Sequence, residues 1–132
     1  MSINIKAVLA ATVVSYALGS LWYLAIGKSW RAAVGWGEQA TPYRPTGLEL
    51  GVALAGQLMM AVALSGLLFH MGRGTVRAGI ITGFFVWSGF ILPALATNVV
   101  FQRRNWALIW QDGLHWLLVL AAQGAVLGWF GS

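Results

Sequence analysis

The chain has 132 residues, of which 59% are hydrophobic and 8% charged, against roughly 25% charged in an ordinary soluble domain. Eight basic and three acidic side chains cannot cover the large surface that so short a domain leaves exposed, and a mean hydropathy of +0.76 makes lipid the solvent for most of it. The net charge of +5 does not point to nucleic acid, because the basic residues are scattered between apolar runs and form no stripe. With no cysteine, a disulfide framework, a thiolate metal site and a cysteine nucleophile are all excluded.

Four apolar runs follow one another: Ile5 to Ile26, Leu48 to Met71, Val76 to Phe101 and Trp106 to Phe130. Each approaches the roughly 20 residues that cross a hydrocarbon core of about 30 Å. Their continuous length, without alternating ten-residue segments, predicts helices rather than the strands of a transmembrane barrel. The expected fold is therefore an all-α integral membrane protein, a single transmembrane domain over 1–132 built as a four-helix antiparallel bundle. Lys6 and the small pair Ala17 and Gly19 loosely imitate a secretory signal in the first run. The apolar stretch continues to Ile26, so a retained span is the stronger reading.

The one sizeable polar segment is Gly27 to Gly47. There Ser29 is placed to cap a short helix that carries Trp30 and Trp36 near one face, an arrangement suited to the headgroup layer. Gly27 permits a bend into it, and Gly35, Gly37, Pro42 and Pro45 keep it brief. The connections Gly72 to Thr75 and Gln102 to Asn105 are tight, which makes helices two, three and four antiparallel neighbours. Pro93 predicts a kink about one turn before Asn98, freeing carbonyls for Thr97, Asn98 or a water.

Lys28, Arg31, Arg44, Arg103 and Arg104 fall on one side of such a bundle, and Lys6, Arg73 and Arg77 on the other. The larger group marks the cytoplasmic side, placing both termini outside a bacterial inner membrane. Eight tryptophans cluster near the ends of the runs, where Trp22, Trp30, Trp36, Trp106, Trp110 and Trp129 read as an interfacial belt; a stacking site for a planar or cationic ligand is the alternative. Trp87 and Trp116 sit deeper and suit a lining role.

In the last run Asp112, His115 and Gln123 lie close to one helix face. With Asn98, and with Gln57 facing them from helix two, they form the candidate intramembrane polar site. A carboxylate in mid-membrane costs about 2.5 to 3.5 kcal/mol on insertion scales. The plainer expectation for Asp112 is therefore an ion pair with Arg103 or Arg104 that fixes the last hairpin; the functional alternative is a protonatable coupling site shared with His115. His70 and His115 fall at different depths, so haem ligation is not expected, nor is any metal or other cofactor. Gly79 and Gly83, and Gly124 and Gly128, have small-xxx-small spacing that marks helix contact faces, as do Gly51 and Ala55. No phosphate loop, nucleophile elbow, zinc motif or dinucleotide fingerprint is present, and the protein is not expected to be an enzyme.

The segments Gly19-Ser-Leu-Trp22-Tyr23, Gly27-Lys28-Ser-Trp30, Asn98-Val-Val-Phe101 and Asp112-Gly113 give the chain its resemblance to the bacterial membrane-protein family known as domain of unknown function 1761. That resemblance covers most of the chain and implies four spans without an established activity. The family tends to have a tyrosine near the aspartate-glycine pair, where this chain has Leu114, His115 and Trp116. Read physically, Trp22, Tyr23, Lys28 and Trp30 are interfacial anchors at the exit of the first span.

Three functional expectations follow. The leading one is a non-catalytic accessory or self-associating subunit, in contact with membrane lipid and with its own copies or a larger membrane complex. The second is a small proton-coupled transporter or channel using Asp112 and His115, and the third a lipid- or pigment-binding subunit. For the topology, a reporter fused after Ser132 that fluoresces only in the cytoplasm should stay dark; a bright fusion would invert the orientation.

Overall fold

Backbone amides find no water inside a bilayer, so a chain surrounded by lipid must satisfy them within helices. In the computed structural model the described residues, 3–36, 45–72 and 74–131, are helical nearly throughout and include no strand. Helix α1 spans Ile5–Val34, α2 Gly47–Met71, α3 Val76–Val86, α4 Leu92–Phe101 and α5 Ala107–Phe130. A five-residue π segment, Trp87–Ile91, joins α3 to α4, so the two form one crossing over Val76–Phe101. Four helical segments are thus long and apolar enough to span a membrane.

Local chemistry sets where these helices start. The Asn4 side chain accepts the Ala7 amide at 3.1 Å, and Thr75 accepts that of Ala78 at 3.1 Å. Thr46 and Glu49 form a reciprocal capping box at the head of α2, each cap satisfying amides that the first turn leaves open.

Two expectations change on inspection. Among the described residues no separate interfacial helix follows the first span: α1 runs straight through Gly27, Ser29 and Trp30 to Val34 and ends at Gly35, whose φ of 96° suits a residue without Cβ. A glycine inside a helix costs only about 1 kcal/mol relative to alanine, and Ser29 and Trp30 reach partners on α5 only if α1 continues in line. Gly37, Glu38, Pro42, Tyr43 and Arg44 of that connection lie outside the described residues. The Pro93 kink takes the form of the π segment, in which the Leu92 amide reaches back to the Trp87 carbonyl. This wider turn absorbs the missing donor of Pro93. Thr97 back-bonds to the Pro93 carbonyl at 2.8 Å, an i−4 contact and not one to a carbonyl that the proline frees, and Asn98 is exposed.

Helix α5 is the hub. Ten of its residues are buried against seven in α1 and five in α2, and it touches all four other helices. Residue pairing makes α1 antiparallel to α2 and α5, and α3 antiparallel to α5. One end of the bundle therefore gathers Asn4, Gly72, Thr75 and Gly131, with Lys6 and Arg77 nearby. The other end gathers Gly35, Thr46 and Trp106, with Lys28, Arg31, Arg103 and Arg104.

The α3/α5 contact is a glycine seam. A Cβ placed on Gly79 would overlap the Gly124 carbonyl, one on Gly124 the Gly79 carbonyl, and one on Gly128 the Thr75 carbonyl. At Gly83 it would lie 2.5 Å from the Leu120 oxygen. Backbones this close gain dispersion and Cα–H···O contacts that larger residues forbid. Elsewhere Ala7, Val8, Ala11, Ala61, Leu64, Leu68, Leu120 and Leu127 form the main apolar core, and Ala33, Val99 and Leu108 a smaller one near Trp30. Gly51 has no neighbour within 4 Å of its Cβ position, and it and Ala55 are exposed.

The seam predicts a clear contrast in thermal unfolding in detergent. Gly124→Val should cost at least about 2 kcal/mol through overpacking, while Gly51→Val should stay within about 0.5 kcal/mol of the parent.

Candidate functional site

The polar residues of the interior collect in the joint between α1 and α5. Because the helices are antiparallel, the end of α1 meets the start of α5. The Trp22 indole donates to the Gln111 carbonyl at 2.9 Å, and the Gln111 side-chain amide donates to Ser29 Oγ at 2.9 Å. One carboxylate oxygen of Asp112, Oδ1, accepts both the Tyr23 hydroxyl at 2.5 Å and the Trp30 indole at 3.0 Å. From the other side of α5, the Trp87 indole donates to the Gly113 carbonyl at 2.7 Å.

The expected ion pair with Arg103 or Arg104 is replaced by these neutral donors. Both arginines are exposed in the turn before α5, and among the described residues no lysine or arginine pairs with Asp112. A phenol and an indole already belong to the apolar slab, so they reach the carboxylate without stripping a guanidinium of its hydration. Trp22, Tyr23 and Trp30, read from sequence as interfacial anchors, accordingly turn their polar atoms inward to α5, whereas Lys28 is exposed. Trp106, Trp110 and Trp129 are exposed large side chains and fit the belt.

His115 packs one turn deeper. Its ring lies 4.6 Å from Tyr23 and 4.5 Å from Trp116. Gly19 makes room for it, since a Cβ there would sit 2.6 Å from His115 Nε2. Trp30 in turn stands edge-on to Tyr23 at 5.2 Å and to Trp36 at 5.3 Å, so five rings run in contact along the joint.

A second polar knot lies deeper still. Ser15 donates to Gln57 Oε1 at 2.7 Å, and the Gln123 amide donates to Ser15 Oγ at 3.1 Å and to the Gln57 carbonyl at 2.9 Å. It ties α1, α2 and α5 together. Asn98 joins neither group. The knot is separated from His115 by two helical turns, about 12 Å along the axis, and Val119 in that interval is fully buried. The polar residues of α5 therefore form two groups and no continuous path. Gln111 Oε1, His115 Nδ1 and Gln123 Oε1 are buried without a hydrogen-bond partner. The cleft between α2 and α3 is lined by Met60, Ala63, Leu64, Leu67, Val86, Ile91 and Leu120, all apolar. Among the described residues no three acidic or histidine side chains group as a metal site.

Sequence reasoning missed Ser15 and Gln111, and gave Ser29 a capping role where the residue lies inside α1 and accepts from Gln111. The signal for Gln111 was its spacing: it stands four residues before His115, on the same helix face.

The segments behind the family resemblance converge on this joint, with Gly19, Trp22, Tyr23 and Trp30 on one helix and Asp112-Gly113 on the other. A family model described as "Protein of unknown function (DUF1761)" matches residues 6–128. The chain belongs to this family. No curated protein and no solved structure matches it, so the DUF1761 assignment brings no biochemical role with it.

Hydrogen bonds to a charged group are worth about 1.5–3 kcal/mol. Tyr23→Phe and Trp30→Phe should each lower unfolding stability by an amount in that range. The double variant should exceed the sum, because either donor partly compensates for loss of the other on the shared oxygen and losing both leaves the carboxylate without a donor. Arg103→Ala and Arg104→Ala should change stability by less than about 0.5 kcal/mol; a larger loss for either arginine would restore the ion-pair model.

Proposed function

We propose that this DUF1761 protein is a non-catalytic multi-pass protein of the bacterial inner membrane, acting as a structural or self-associating subunit. The observation that carries this reading is how its interior polar groups are used. Asp112, Gln57 and Gln123 each bond across helices, the polar line along α5 breaks at Val119, and the cleft between α2 and α3 has an apolar lining. Side chains of the kind that carry a solute or a proton in transporters here bond helix to helix. The exposed small residues of α2, Gly51 and Ala55, offer a surface on which a neighbouring helix could approach closely. Lys28, Arg31, Arg103 and Arg104 at one end favour that end facing the cytoplasm, with both termini outside.

The absence of cysteine makes the test clean. Gly51→Cys, oxidised in native membranes, should give a disulfide-linked dimer. Phe85→Cys, on the exposed face of α3, should not. Monomers only, together with purification that returns no partner, would overturn the reading. In proteoliposomes, pH-coupled uptake of a lipophilic cation that disappears in Asp112→Asn would put a transporter in its place.

A further inference from the structure

The α1/α5 joint leaves acceptors short of donors within one turn of α5. Asp112 Oδ1 takes both the Tyr23 and Trp30 hydrogens, and no described residue donates to Oδ2. Gln111 is 1% exposed and its Oε1 has no partner; His115 is 6% exposed and its Nδ1 has none. Residues three and four apart on a helix have Cβ atoms about 5–6 Å apart, so His115 neighbours both Gln111 and Asp112, which diverge by about 100° on either side of it. All three side chains meet α1, Gln111 at Ser29, Asp112 at Tyr23 and Trp30, and His115 at Tyr23. Asp112 is only half-buried, whereas Gln111 Oε1 and His115 Nδ1 are enclosed, so a ligand meets the carboxylate first and reaches the other two as the side chains shift around it. Asp112 lies five residues into α5, about 8 Å below the start of the helix.

A ligand that fits this patch has a definite chemistry. It carries positive charge, because Asp112 has no lysine or arginine partner among the described residues. It brings several N–H donors, because Asp112 Oδ2 and Gln111 Oε1 are acceptors and His115 Nδ1 becomes one when the ring is protonated on Nε2. It tolerates walls of aromatic rings, which Tyr23, Trp30 and Trp36 supply and which attract cations. Water offers donors without charge, and a quaternary ammonium offers charge without donors. A primary ammonium has three N–H donors and one positive charge.

We propose that the α1/α5 joint binds a primary alkylammonium group, with Asp112 Oδ2 holding the charge and Gln111 Oε1 and His115 Nδ1 accepting its remaining hydrogens. His115 accepts in the tautomer protonated on Nε2. The alkyl stem leaves along the aromatic walls toward the headgroup layer. This goes beyond the subunit role above, since binding requires neither self-association nor transport. The ammonium can belong to an aminophospholipid headgroup or to a free amphiphilic amine.

The experiment uses the full-length protein in nanodiscs of phosphatidylglycerol, which has no amine, with decylamine titrated against tryptophan fluorescence. Decylamine should bind saturably, decyltrimethylammonium about tenfold more weakly, and decanol without saturation. Asp112→Asn should weaken decylamine by about tenfold or more. Because Asp112 also anchors α1, Gln111→Met serves as a second variant: it should weaken decylamine several-fold and leave decyltrimethylammonium unchanged. In nanodiscs containing phosphatidylethanolamine, retention of that lipid in native mass spectra with competition against decylamine identifies a headgroup ligand. Undiminished decylamine binding without lipid retention identifies a free amine. Equal responses to decylamine and decanol, or parental decylamine affinity in both variants, would overturn the proposal.

Discussion

A polar atom in hydrocarbon has only other protein atoms to turn to, and that scarcity governs how this chain is assembled. Helix α5 carries Gln111, Asp112, His115 and Gln123, and the hydrogen bonds that Gln111, Asp112 and Gln123 make reach α1 and α2. Its other side meets α3 with no side chains between the backbones. One helix thus joins its neighbours by two opposite means, directional bonds on one face and bare close approach on the other. The first fixes depth and rotation, because a phenol, an indole and two amides fit only one register. The second fixes distance.

This division explains which parts of the fold could be read from the residues. Hydropathy reports length and lipid exposure directly, so the four crossings were legible at their apolar ends. The glycine spacings 79/83 and 124/128 were legible as contact faces, because small residues at one-turn intervals have few other uses in a membrane helix. What could not be read was continuation past Ile26. Lys28, Ser29 and Arg31 look like a departure into water, and only the partners waiting on α5 keep that stretch helical. The π segment was likewise hidden, since Pro93 announces a disturbance and does not specify its form.

At the candidate site, the sequence marked Asp112 and His115 as unusual and gave the wrong partner for the carboxylate. Charge complementarity favoured Arg103 and Arg104, which are near in sequence. Tyr23 and Trp30 are about 80 to 90 positions away and looked like interfacial aromatics, a role that residue type alone supports equally well. An aromatic side chain with a polar tip can face the headgroups or point inward, and only the packing of α1 on α5 decides between them. The same ambiguity hid Ser15 and Ser29, which are common residues in membrane helices and become notable only through what they bond.

The π segment carries one consequence beyond absorbing Pro93. A π turn is an α-helix with one residue too many, and each residue advances the helical wheel by about 100°. The surplus at Trp87–Ile91 lets α3 present glycines to α5 while α4 presents Leu92, Leu95 and Val99 to Gly113 and Leu108. The two halves of this crossing are therefore phased independently. A lineage that lost a single codon here would keep its hydropathy profile intact and yet rotate the whole distal half away from its partner.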